Sequence, residues 1–314
     1  MLVWRKRPVT GKIIRWIVTV LLLAVLAMVV SSPASLADTH PIAMDMNVFG
    51  DEIREDGWIS KEEYRDESIH VWLESRTRKT KSSSAKTTIT WATIEIADAS
   101  QLRTYFSDGS YDSRKQERSN VMTKRTRAVV AMNADFAKYT YDFGYIIRQG
   151  VFYRDALDQQ KYPRDVLVID SEGDFSIVPN ATSEDMHEFL AGLEASGRTA
   201  VNSFTFGPAL VNNGEVQTIT SKEHEAILAT ARICICQLDH LRYAIVVVNG
   251  GNGVGINLQE LANLIPEILP DCKVAYNLDG GGSAHLLLNG KMVNKTANSR
   301  GISDIIYFAS AAGE

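Results

Sequence analysis

From residue 68 onward the chain reads as short apolar or alternating runs separated by turn residues. "SIHVWLES" (68–75) and "TTITWATIEIA" (87–97) are rich in β-branched and aromatic residues and predict strands. The basic, serine-rich "RTRKTKSSSAK" (76–86) between them predicts an exposed connecting loop, either a solvated tip or a contact for an anionic wall polymer. "RAVVAMNADFA" (127–137) predicts an apolar strand with a polar end. "YIIRQGVFY" places a turn at Gln149-Gly150, "DVLVIDSEGDFSIV" one at Glu172-Gly173, and "FGPALVNNGEV" an Asn-Gly turn between two strands. "YAIVVVNGG" (243–251) is apolar throughout and predicts a strand in the middle of a sheet.

Two segments carry helical spacing. "SEDMHEFLAGLEASG" (183–197) has a Ser/Thr cap, acids in its first turn and a glycine stop. "INLQELANLIPEIL" (256–269) is amphipathic, with Asn257 and Glu260 spaced as a capping box and Pro266 expected to kink or end it. The pattern defines an α+β fold of mixed, strand-dominated sheets with two or three packed helices.

The start of the chain differs. Arg5, Lys6, Arg7, Lys12 and Arg15 precede the apolar run 16–30, and small residues follow in "SSPASLAD". A basic start, an apolar stretch and a small-residue exit describe a secretory signal or, with Ile13 and Ile14 added, an uncleaved membrane anchor. Both place the body outside the cytoplasm. The expected organisation is a signal or anchor over 1–37, an acidic stalk or extension over 38–66, and one domain over 67–314.

Composition narrows the partners. The 314 residues are 45% hydrophobic and 23% charged, enough for one large core. The net charge is −5 with no long basic face, which argues against nucleic acid. Cys234 and Cys236 should share one face of a strand, and Cys272 stands alone. They read as three small buried hydrophobes, with a disulfide from Cys272 to either partner as the alternative in an exported protein. No histidine or cysteine spacing matches a zinc site.

Two glycine-rich turns invite a phosphate reading. "NGGNGVG" (249–255) lacks the G-x-G-x-x-G spacing, so a dinucleotide site is not expected. "NLDGGGSAH" (277–285) sets Asp279 before three glycines and a serine. Successive glycines at positive φ turn consecutive amides toward one anion, and Ser283 adds a hydroxyl. A carboxylate beside such a nest suits a substrate carrying phosphate and needing acid or base help. The plainer alternative is a loose turn with a capping aspartate.

"MNADF", "GPALVNNGEV", "VVVNGGNGVGINLQELANLI", "AYNLDGGGSAHLLLNGKMVN" and "SRGISDIIYF" occur in the order seen in phosphodiester glycosidase domains. The resemblance spans roughly residues 89–310. It implies hydrolysis of a sugar 1-phosphodiester of the N-acetylglucosamine 1-phosphate type, in cell-surface polysaccharide or wall-polymer metabolism. Phosphate would leave the anomeric carbon through an oxocarbenium-like transition state. On that chemistry Asp135 and Asp279 are the expected carboxylates and Arg232 the phosphate-binding arginine. Asn133, Asn249, Asn277, the Gly280, Gly281 and Gly282 amides, Ser283 and Arg300 complete the expected substrate site. No cofactor is certain; the two aspartates with Asn133 and Asn277 could hold Ca²⁺ or Mg²⁺ through oxygen.

Two departures count. Many relatives carry D-G-R where this chain has Asn249-Gly250-Gly251, and Ala137 replaces a common aromatic. The alternative function is therefore a non-catalytic glycan- or anionic-polymer-binding protein on the same scaffold. The hydrolase expects Asp135 and Asp279 to be solvent-reachable in one pocket with Arg232; the binding protein tolerates them apart or tied up in structural pairs.

Overall fold

The computed structural model describes residues 39–136, 144–160, 162–219, 224–251 and 254–313. The expected signal or anchor segment and Ala137 lie outside the described residues. No helix among the described residues is long and apolar enough to cross a membrane.

Two antiparallel sheets carry the fold. The larger has eight strands in the order β1 (Glu63–Arg65), β2 (Ile69–Lys79), β3 (Lys86–Ile96), β14 (Arg242–Val248), β13 (Arg232–Asp239), β15 (Val274–Leu278), β11 (Ala209–Asn212), β12 (Glu215–Val216). The smaller has five, in the order β17 (Lys291–Met292), β16 (Leu286–Leu288), β5 (Ala128–Asn133), β18 (Asp304–Ala309), β4 (Leu102–Phe106). A three-stranded sheet of β10 (Ala200–Phe204), β8 (Val166–Asp170) and β9 (Phe175–Val178) and a hairpin of β6 (Gly144–Arg148) and β7 (Val151–Ala156) complete the strands. The apolar run at 243–248 is central, as its lack of a polar face requires.

Alternation along the strands builds the layers. Ile233, Ile235, Ile245 and Val247 point into a core shared with Val130, Met132, Leu286 and Ile306 of the smaller sheet. Each such buried side chain contributes about 1.5–3 kcal/mol. Cys234, Cys236, Ala244 and Val246 face the other way, against Leu258, Leu261, Ala262 and Ile265 of the helix Leu258–Ile268. Cys272 joins this second layer, and all three cysteines are free and buried, so the disulfide alternative is not formed. The helix Ser119–Arg125 packs on the outer face of the smaller sheet, and the helix Ser183–Ala195 lies against the three-stranded sheet.

The structure refines four of these readings. The loop 76–86 is half strand: β2 and β3 pair continuously to Lys79↔Lys86. The helix Leu258–Ile268 runs two residues past Pro266. Its capping is also shared. Asn257 accepts from the Glu260 amide at 2.8 Å, but the Glu260 carboxylate accepts instead from the Lys81 amide and from the amide and hydroxyl of Ser82, whose oxygen accepts from the Asn257 amide. The capping box has been opened to fasten a hairpin. Of the stalk or extension expected over 38–66, the described residues 39–66 make contacts with the domain. Ile42 and Met46 are buried, and the fully buried Arg103 donates to the carbonyls of Ala43, Asp45 and Val48.

Candidate active site

The ends of β5 and β15 meet, bringing "MNAD" and "NLDGGGS" together. The Asp279 amide donates to the Ala134 carbonyl at 3.3 Å, and Asn133 Nδ2 donates to the Asp279 carbonyl at 2.8 Å. Asn133 Oδ1 accepts from the His285 amide at 3.0 Å. Asn133 thus holds the glycine turn at both ends. It is buried, with both amide atoms engaged, which makes it a positioning residue rather than the substrate contact expected.

The turn is a 3₁₀ turn over Gly281–Ser283. Of its three glycines only Gly281 has positive φ, +57°. The Gly281 amide donates to the Ala231 carbonyl at 2.8 Å, and the Ser283 amide to the Gly280 carbonyl at 3.1 Å. The Gly281 amide, one of the three expected to face an anion, is therefore engaged within the protein. The glycines also serve close packing: a Cβ on Gly280 would lie 2.8 Å from the Ala231 carbonyl oxygen, and one on Gly282 2.5 Å from that of Asn298. The turn threads between two backbones.

Asp279 stays at the surface of this arrangement. Its side chain is 15% exposed and its Oδ2 accepts from Arg300 Nη2 at 3.1 Å. Arg300 Nε donates to Ser283 Oγ at 2.7 Å, and the arginine side chain is 57% exposed. Asp279, Ser283 and Arg300 therefore form one hydrogen-bonded set that meets solvent chiefly through Arg300, with Ser283 buried beneath it, and it carries an acceptor and a cation that suit a sugar phosphate.

Arg232, the first residue of β13, is nearly fully buried. Its Nε and Nη2 donate to the carbonyls of Ile256 and Leu228 at 3.4 and 3.2 Å, and it passes beside Gly280. Asn277 Nδ2 donates to the Gly207 carbonyl at 2.7 Å, while its buried Oδ1 has no hydrogen-bond partner among the described residues. Asn249 Oδ1 accepts from the Lys295 amide at 2.9 Å, which fixes the loop. The glycines beside Asn249 again serve packing, since a Cβ on Gly250 would sit 2.1 Å from the Ala231 nitrogen.

Asp135 does not share a solvent-reachable pocket with Asp279. It is 3% exposed; Oδ1 accepts from Arg148 Nη2 at 2.6 Å and Oδ2 from the Thr205 amide at 2.8 Å. Arg148 is completely buried and also donates to Asp304 Oδ2 at 3.0 Å. Burial pushes the Asp304 carboxyl up to about 6, against the pull of Arg148. The sequence reading missed Arg148 and Asp304. The available signal was an arginine inside the apolar strand "GYIIR", which a buried strand tolerates only with a carboxylate partner.

His285 was missed too. Its Nε2 lies 3.0 Å from the Ser299 hydroxyl, and its ring is buried, with no hydrogen bond to Nδ1 among the described residues. Burial, and secondarily the Arg300 charge, push its pKa down to about 4, while the Gly282 carbonyl opposes them. The folded protein therefore prefers neutral imidazole. As pH falls from the unfolded pKa near 6.5 toward 4, the unfolded chain takes the proton first and stability is lost. In His285→Asn the cost of the substitution, measured by urea unfolding, is expected to be about 2–3 kcal/mol larger at pH 7 than at pH 4. Equal costs at both pH values would refute the burial argument.

Two of the four residues considered for a divalent cation are already engaged within the protein. Asp135 has both oxygens engaged and Asn133 Oδ1 is taken by an amide. Among the described residues no three His, Cys, Asp or Glu side chains gather as ligands.

Comparison with known proteins agrees with this geometry at the level of family. The profile of the phosphodiester glycosidases matches residues 126–309, more than half of the chain and the whole of the site just described. The chain belongs to the phosphodiester glycosidase family. The catalytic domain of the zebrafish N-acetylglucosamine-1-phosphodiester α-N-acetylglucosaminidase, solved in a form auto-inhibited by its pro-peptide, superposes with a TM-score of 0.60 over 83% of this chain and 87% of that one. At 16% identity that likeness shows the shared fold. The SPbeta prophage-derived protein YomE of Bacillus subtilis is 29% identical over 182 residues, a stretch that covers 56% of this chain and 27% of YomE.

Proposed function

We propose that this protein is an extracytoplasmic hydrolase that cleaves the glycosidic bond of sugar 1-phosphodiesters in cell-surface polysaccharide or wall-polymer metabolism. The observation that carries the reading is the hydrogen-bonded Asp279–Arg300–Ser283 set, which reaches solvent through Arg300 and is held by Asn133 within a phosphodiester glycosidase domain.

In this reading Arg300 binds the phosphate and offsets its charge as it leaves the anomeric carbon. Asp279 is the carboxylate placed to activate water or to stabilise the developing cation. Arg232 lends positive charge from beneath Gly280. Asp135 acts at a distance, fixing the 133–135 segment through Arg148 and Thr205. Cleavage would release free sugar and leave a phosphomonoester. Mass spectrometry after incubation with a GlcNAc 1-phosphodiester, such as UDP-GlcNAc or a phosphomannosyl conjugate, tests this; a panel of such diesters left intact would count against hydrolysis.

Two features favour the second reading, a binding protein on the same scaffold. Asp135 is tied up in a buried ion pair, and Asn249 stands where the family resemblance leads one to expect an acid. Tight binding of the same diesters without turnover is the outcome it expects.

A further inference from the structure

The eight-stranded sheet ends its strands β2, β14 and β15, and begins β3 and β13, at one edge. That edge carries the Asp279 turn, and the β2–β3 hairpin overhangs it. At the overhang Lys79 stands directly opposite Lys86. Like charges facing each other across an antiparallel pair destabilise it. Both side chains are exposed, as are Lys81 and Lys295, and none of the four forms an ion pair among the described residues. The body is otherwise acidic overall, so the strip is a local exception.

The hairpin is anchored. Glu260 binds the amides of Lys81 and Ser82, Thr80 Oγ1 donates to the Gly255 carbonyl at 2.7 Å, and Thr87 Oγ1 to that of Asn249 at 2.7 Å. The same loop leads on toward Asp279. Asn249 Oδ1 accepts from the Lys295 amide, and the Gly250 amide donates to the Lys295 carbonyl at 3.2 Å. Beyond Lys295, Thr296 Oγ1 donates to the Gly281 carbonyl and the Arg300 amide to that of Gly282. Bonded backbone thus connects the lysine pair, Lys295 and Arg300 in order. With neighbouring chains about 4.8 Å apart, Lys86 and Lys295 lie on the order of 10 Å from each other along the edge. That is a spacing for successive anions on one chain, not for two oxygens of one phosphate.

We propose that Lys79, Lys86 and Lys295 form a cationic strip that seats successive phosphates of a polymeric glycosyl phosphodiester, with the Asp279–Arg300 set at its end. This rests on the hydrolase reading for the bond that is cut, but the strip itself is a binding surface and is tested separately.

The full chain is assayed with a GlcNAc 1-phosphate methyl diester and with a poly(GlcNAc 1-phosphate) chain, comparing wild type, Lys79→Glu/Lys86→Glu and Lys295→Glu. The expected result is a roughly tenfold or larger rise in polymer KM for the double variant at low salt, with methyl-diester kcat/KM unchanged and a shallower salt dependence. An unchanged polymer KM would overturn the strip and leave the hydrolase reading standing. If wild type cleaves neither compound, polymer binding by calorimetry decides: salt-sensitive binding lost in the double variant supports the strip while the hydrolase reading fails, and no binding overturns both. Equal affinity for a single-stranded oligonucleotide of the same length would overturn the glycan phosphodiester as the partner. Lys79→Gln/Lys86→Gln, which removes charge without reversing it, is expected to give an intermediate KM.

Discussion

Replacing Arg148 with methionine is expected to lower the unfolding free energy by about 3–5 kcal/mol, the largest stability effect of any single change at this site. The guanidinium is completely buried and is shared by two buried carboxylates, Asp135 and Asp304. It also donates to the carbonyls of Ile147 and Ser203 and stacks 4.2 Å from the Phe204 ring centroid. Methionine would fill much of the volume but leave two acids facing each other without a cation. One relief is protonation. Asp304 already holds its proton up to about pH 6, above the ordinary carboxylate value, so the stability it contributes is present at low pH and lost as pH rises through 6. The loss in Arg148→Met should therefore be smaller at pH 5 than at pH 8. Urea denaturation at both values checks it; a loss under 1 kcal/mol at pH 8 would mean that the triad does not hold the fold.

Asp279→Asn is expected to reduce kcat/KM on a sugar 1-phosphodiester by about 10²–10⁴, the range for removing a general acid or base. It should change stability by less than about 1 kcal/mol, since the partner Arg300 is more than half exposed and water screens the pair. Asparagine keeps the volume and can still accept from Arg300, so a loss of rate at constant stability isolates the charge. Wild-type rates in Asp279→Asn would remove this residue from the chemistry. Asp135→Asn has the opposite signature. Its amide would place one donor against either Arg148 or the Thr205 amide, so stability falls first and activity follows.

Much of the fold was legible. The turns at Gln149-Gly150, Glu172-Gly173 and Asn213-Gly214 appear as hairpin connections, because positive φ is a local property that these residue types supply. The central strand, the two longer helices and the shared face of Cys234 and Cys236 also follow from periodicity. The basic segment 76–86 did not read correctly. Its strand character comes from pairing and from anchors on residues 249–260, contacts about 170 residues away in the chain.

The site divided in the same way. The sequence alone determined that Asp279 precedes a glycine turn at a strand end, which is a statement about residue type and local geometry; the 133–135 segment and Arg300 became candidates through the resemblance to the phosphodiester glycosidases. Only the tertiary structure decided that the glycines serve backbone packing, that Asn133 clamps the turn, and that Asp135 faces a buried arginine instead of solvent. Which face a carboxylate meets depends on what another strand brings to it. Arg148 reaches Asp135 from a separate hairpin, and burial then fixes both charges in a way that no spacing along the chain encodes.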